Sequence, residues 1–159
     1  MSTPAIIFIH GQDSSSRTHK AELLRAVYPD AVVPDFSGPL EQRMAQLRPI
    51  LGQHDTWAII GSSMGGLMAT LWVCAHQPQA YKLILLAPAI HLRAFVVPPQ
   101  PIDVPTIVYH GLRDTVVPLA PVRAVAERTF SNLRFNLVDD DHRLHATAEA
   151  IDWRALIEG

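Results

Sequence analysis

Apolar residues along this chain come in short unbroken runs, separated by longer stretches in which they recur at helical spacing. Ala5-Ile6-Ile7-Phe8-Ile9 is continuous, rich in branched side chains and closed by His10-Gly11, which is the pattern of a strand buried on both faces of a parallel sheet. Gln12 to Ser16 is polar and turn-rich. From Arg17 to Tyr28 the positions Ala21, Leu23, Leu24 and Val27 then mark one helical face until Pro29 ends the run. The alternation continues with Ala31-Val32-Val33-Pro34 as a short strand, Leu40 to Leu51 as a helix, Thr56 to Ile60 as a strand running into Gly61, and Met64 to His76 as a helix. Next come the strands Lys82 to Leu86 and Thr106 to Tyr109, a helix around Val122 to Phe130, the strand Arg134 to Val138, and a C-terminal helix from about His145.

Six strands alternating with helices predict the α/β class: a three-layer α/β/α arrangement with a doubly wound six-stranded parallel sheet, helices on both faces and right-handed crossovers. In such sheets ligands gather at the carboxyl ends of the strands, so the residues just past each strand are the ones to examine for chemistry. With 159 residues, 48% hydrophobic and 18% charged, the chain has enough material for one core and none for a second domain of ordinary size. The stretch from Phe95 to Pro105 carries Pro98, Pro99, Pro101 and Pro105, and reads as a stiff surface loop rather than a domain boundary.

Charge narrows the partners. A formal net charge of -2 supplies no basic field for nucleic acid or anionic lipid. Met1 to Pro4 lacks a positive leader region, and the run from Ala5 to Ile9 is too short for a signal core or a membrane span. The expectation is a cytoplasmic protein with neither nucleic-acid nor membrane partner. Cys74 is the only cysteine, which excludes an intramolecular disulfide and a multi-cysteine metal site. Its neighbours Leu71-Trp72-Val73 and Ala75 point to a buried structural thiol.

Gly61-Ser62-Ser63-Met64-Gly65 sits between a strand and a helix, the setting in which G-x-S-x-G is informative. A sharp turn there holds a nucleophile in a strained conformation, and side chains at the flanking glycines would collide with neighbouring backbone. It also sets Ser63 at a helix N-terminus, where free N–H groups favour developing negative charge. Ser62 lacks the glycines in register. A phosphate loop or a plain packing turn is the competing reading of a lone match, but neither G-x-x-x-x-G-K-[ST] nor G-x-G-x-x-G occurs.

A serine hydroxyl needs a histidine to take its proton and a carboxylate to orient that histidine. Downstream of Ser63, Asp114 follows the strand Thr106 to Tyr109, and His142 follows the strand Arg134 to Val138. All three therefore fall at one edge of the sheet. His145, at the start of the last helix, is the rival base; Asp139, Asp140 and Asp141 are the rival acids and read instead as loop and cap residues. His142 and His145 beside three aspartates could also mark a metal site, a reading set below the serine chemistry. The other histidines, His19, His54, His76, His91 and His110, share no ligand spacing and read as surface or satisfied interior groups. The two oxyanion donors are expected to be the amides of Gln12 and Met64, with Gly11 allowing close backbone approach and His10 pinning the loop.

His10-Gly11, Gly61-x-Ser63-x-Gly65, His110-Gly111-x-x-Asp114-x-x-Val117-Pro118 and Asp141-His142, in this order, resemble the α/β-hydrolase superfamily over nearly the whole chain. Its small lidless members, including esterases and retinoblastoma-binding-protein-9-like serine hydrolases, look most similar, and His10 to Ser15 resembles the opening loop of small esterases. The resemblance implies that the chain begins at what is the third strand of larger members, leaving six parallel strands. Only about twenty residues lie between Leu86 and Thr106, where larger members insert a cap. The site is therefore expected to be open, suited to short acyl esters or thioesters or to an ester displayed on a larger molecule. Met64, Leu92, Phe95 and Val117 are the candidate pocket residues beside Gly11. No cofactor or metal is called for, and the sequence leaves oligomeric state, amide cleavage, acyl transfer to another acceptor and a purely binding role open.

Overall fold

Side chains alternate across the sheet so strictly that the core falls into two halves. The computed structural model describes residues 3–159, with strands β1 (Ala5–Ile9), β2 (Trp57–Ser62), β3 (Ala80–Leu86), β4 (Thr106–Gly111) and β5 (Leu133–Val138). All pair in parallel, in the order β1-β2-β3-β4-β5. Ile7, Ile9, Ile59, Leu83, Leu85 and Val108 face one layer, formed by α2 (Leu40–Leu51), α3 (Met64–Ala75) and α4 (Leu119–Thr129). Ile6, Phe8, Ala58, Ile60, Ile84 and Ile107 face the other, formed by α1 (His19–Val27), α5 (His145–Ala150) and α6 (Trp153–Glu158). The three-layer α/β/α expectation holds.

The strand count differs from the expected six. Val32 makes a single parallel bridge to Ile7, its N–H donating to the Ile6 carbonyl and its carbonyl accepting from the Phe8 N–H. The next donor in a parallel ladder would be residue 34, and Pro34 has no N–H to give. Pairing stops after one residue. The bridge still sets the topology, because the chain passes to the outer edge of β1 and then returns to start β2 on its other side.

The C-terminal helix is two helices, α5 and α6. The Asp152 side chain accepts from the Ala155 N–H and so restarts the helix. The proline-rich stretch also differs from a surface loop. Phe95, Ile102 and Val104 are buried, and Ile102 bridges to Phe130, so the stretch packs down against the α2, α3 and α4 layer.

All six residues of β2 are buried. Fully burying one isoleucine contributes about 1.5–3 kcal/mol, and β2 supplies Ile59 and Ile60, both at 0% exposure. This interior strand is thus firmly held, and the turn at its end inherits a fixed position.

Candidate active site

Ser63 is the residue between β2 and α3, with φ 56° and ψ -116°. A non-glycine side chain in that region is strained by about 1–3 kcal/mol and persists only where its surroundings over-determine it. Here they do. The Ser63 N–H donates to the Leu86 carbonyl at 3.0 Å, and its own carbonyl accepts from Ala89 at 3.0 Å and from Gly66 at 2.9 Å. The end of β3 therefore clamps the turn from both sides.

Gly65 shows why the turn needs glycine. A Cβ there would overlap the Ile9 carbonyl oxygen and lie 2.7 Å from the His10 oxygen, both backbone atoms at the end of β1. Backbone cannot swing aside as a side chain can. Gly65→Ala is expected to cost about 3 kcal/mol or more, the upper end of overpacking, read as a fall in the urea midpoint without loss of the two-state transition.

Asp114 lies in the loop after β4, its side chain fully buried. Oδ1 accepts from the N–H groups of Val116 and Val117, each at 2.8 Å, and Oδ2 accepts from His142 Nδ1 at 2.8 Å. Burial pushes the carboxyl up, but the Val117 N–H, the His142 ring and the Val116 N–H together outweigh it and hold the group below its ordinary range. It is ionised at neutral pH.

The rival acids are committed elsewhere. Asp139 pairs with Arg113, Asp140 accepts from the Thr147 N–H and hydroxyl, and Asp141 accepts from the Arg143 N–H. His145 makes no bond to Asp114; its ring lies 4.4 Å from that of His19. Among the described residues no three His, Cys, Asp or Glu side chains are grouped to hold a metal ion. Cys74 is half-buried on α3, and burial pushes its thiol up to about 11.

Ser63 and His142 line one cavity of about 600 Å³, together with Gly11 and Gln12. The Ser63 hydroxyl has no protein hydrogen-bond partner among the described residues. A Cβ placed on Gly11 would sit 3.3 Å from Ser63 Cβ and 3.9 Å from Ser63 Oγ, so the loop after β1 passes directly beside this hydroxyl. The amides of Gln12 and Met64 donate to no protein acceptor among the described residues. His10 is 1% exposed and does pin the loop: Nδ1 donates to the Gly11 carbonyl at 2.7 Å and Nε2 accepts from the Phe36 N–H at 2.9 Å.

Three expected pocket residues lie elsewhere. Phe95 and Val117 are packed in the core with α2, α3 and α4, and Leu92 is exposed outside the cavity. Apolar residues beside a site motif are drawn into the core whenever a neighbouring layer covers them. Val117 serves the site through its backbone N–H, and Met64 likewise contributes no side chain to the cavity lining. The cavity lining instead includes His19, Lys20 and His145, none of which carries a motif. Burial chiefly pulls the Lys20 ammonium down, and it donates to the Arg143 carbonyl at 2.7 Å.

In the sequence His110 belongs to the His110-Gly111-x-x-Asp114 motif but has no role beyond a surface or satisfied interior group. It is fully buried, its Nε2 donates to the Val117 carbonyl at 3.0 Å, and the same nitrogen lies 3.6 Å from Asp114 Oδ2. Burial lowers its basicity against the opposing pull of Val117 and Asp114. A neutral ring thus braces the Asp114 loop without adding a charge.

A family model described as serine aminopeptidase, S33, matches residues 10–102, more than half of the chain, from the His10 loop through the serine turn. No curated protein matches the sequence. Among solved structures, a hydrolase of the α/β superfamily from Xanthomonas campestris pv. campestris is 26% identical, with 92% of each chain covered and a TM-score of 0.75. The α/β-hydrolase domain-containing protein 10 of mouse is 20% identical over 93% of this chain and 86% of its own, with a TM-score of 0.79. Est1E of Butyrivibrio proteoclasticus, solved with ferulic acid, is 18% identical over 98% and 89%, with a TM-score of 0.75. No helix among the described residues is long and apolar enough to cross a membrane. By the family match and the fold together, the chain belongs to the serine aminopeptidase S33 family of the α/β-hydrolase superfamily and is a hydrolase.

Proposed function

We propose that this hydrolase cleaves carboxylic esters or thioesters of small or exposed acyl groups through an acyl-enzyme on Ser63. The observation that carries the reading is the 2.8 Å bond from His142 to a buried, ionised Asp114, at a cavity that Ser63 also lines. Ser63 Oγ attacks the acyl carbon while His142 Nε2 takes its proton. Asp114 fixes the ring with Nδ1 protonated, so that Nε2 is the free base, and its charge stabilises the imidazolium. The carbonyl oxygen gathers charge and is met by the Gln12 and Met64 amides. His142 then protonates the leaving group, and a water activated by the same nitrogen releases the acid. Hydrogen bonds of this kind tighten as substrate binds, which accommodates a Ser63 hydroxyl that has no protein partner among the described residues.

Substrate size follows from the missing cap. Few walls surround the leaving group, so burial of a long chain contributes little to binding. The test is fluorophosphonate labelling. The folded protein is expected to take one label on the peptide containing Ser63, and to turn over p-nitrophenyl acetate and short acyl thioesters faster than long-chain esters. An aminoacyl p-nitroanilide in the same panel separates the amide chemistry in the family's name. A folded protein that takes no label returns the chain to a binding role, and product appearing on an added alcohol rather than water identifies an acyltransferase.

A further inference from the structure

Arg43 is the one charged residue on the buried stripe of α2. It lies three residues after Leu40 and four before Leu47, among Met44, Leu47 and Leu51 of the core, and it is only 5% exposed. Its Nε donates to the Gly38 carbonyl at 2.7 Å, and its Nη2 donates to the Gln12 carbonyl at 3.1 Å. Nη1 is buried without a protein partner, and no carboxylate of the described residues lies within ion-pair distance of the guanidinium. Removing a guanidinium from water without a counter-ion is costly, and an apolar side chain of similar length would fill the space without that penalty. Packing does not account for an arginine here.

What the arginine does is hold the loop beside Ser63. The carbonyl of Gly11 and the N–H of Gln12 belong to one trans, planar peptide and point in opposite directions. His10 holds that carbonyl, which turns the Gln12 N–H the other way. Arg43 holds the next carbonyl along, that of Gln12 itself. Residue 12 is therefore fixed on both sides, from β1 by His10 and from α2 by Arg43. Gly38, the second carbonyl on the same guanidinium, ties this clamp to the segment leading into α2.

We infer that Arg43 is a positioning residue for the oxyanion site, holding the Gln12 peptide so that its N–H meets the charge that develops on the acyl oxygen. This rests on the acyl-enzyme reading above. A donor that wanders by a fraction of an ångström serves the substrate carbonyl and the tetrahedral oxyanion about equally, and so loses its catalytic effect. The loss falls on turnover rather than on binding.

The experiment compares Arg43→Met, Arg43→Gln and Arg43→Lys for kcat and KM on p-nitrophenyl acetate, and for affinity toward a phenylboronic acid, whose Ser63 adduct places an oxygen where the oxyanion forms. Loss of a whole oxyanion donor costs about 10²–10³ in kcat, so a loosened donor in Arg43→Met is expected to cost about 10- to 100-fold. KM should stay within about twofold, boronate affinity should fall by the same factor as kcat, and Arg43→Lys should recover part of both. A folded Arg43→Met with wild-type kcat and boronate affinity, and only a lower melting temperature, overturns the inference. If that variant does not fold, wild-type values in both Arg43→Lys and Arg43→Gln overturn it equally. Failure of the parent reading is separate, because the wild-type protein then takes neither label nor boronate.

Discussion

Ser63→Ala is expected to abolish fluorophosphonate labelling and to lower ester turnover by about 10⁶-fold, the loss seen when the serine of such a set is removed. The fold should survive unchanged. The Ser63 hydroxyl has no protein partner among the described residues, so its removal orphans no buried group, and alanine meets the same backbone strain at φ 56° as serine does. The clamps on this turn are made by the Ser63 N–H and carbonyl, which every residue but proline supplies. Turnover, label stoichiometry and the urea transition of the variant test this together. Turnover within about tenfold of wild type, with an intact transition, would remove Ser63 from the mechanism.

The site was legible where chemistry and strand ends coincide. Ser63, Asp114 and His142 each follow a strand of a parallel sheet, and such strands deliver their C-terminal residues to one edge whatever the details of packing. Ser63 and His142 do share a cavity, and His142 does bond Asp114. What the sequence hid depends on contacts across layers. Pro34 silences a ladder position that reads as strand by composition. Val117 and Phe95 look like pocket apolar residues until α2, α3 and α4 are laid over them.

Arg43 illustrates the same limit from the other side. On a helical wheel it is a polar residue among apolar ones, a signal present at Leu40, Arg43, Met44 and Leu47 but without a partner to explain it. Only the packing of α2 beneath the loop after β1 supplies that partner. His110 is similar: its burial and its approach to Asp114 come from the tertiary course of the segment between β4 and α4.

Asp114→Asn is expected to lower kcat by about 10⁴-fold through the tautomer of His142 rather than through loss of shape. Oδ1 of Asp114 accepts two backbone N–H bonds, from Val116 and Val117, so an asparagine must place its carbonyl oxygen there. Its NH₂ group then takes the place of Oδ2 and presents a donor to His142 Nδ1, and also to the His110 nitrogen 3.6 Å away, which is itself a donor to Val117. His142 answers by carrying its proton on Nε2, the nitrogen that must be free to accept from Ser63.

Stability supplies a second readout of the same substitution. The folded carboxyl of Asp114 is held below its unfolded value, so its contribution is fully present above the unfolded pKa of about 3.9 and disappears as pH falls through the lower folded value. Wild type should therefore exceed Asp114→Asn in stability at neutral pH, and the gap should close only in strong acid. The same depression keeps Asp114 ionised at neutral pH, so turnover there should not be limited by its protonation. Equal stability across the whole pH range, or an asparagine variant with near-normal turnover, would show that this carboxylate orients nothing.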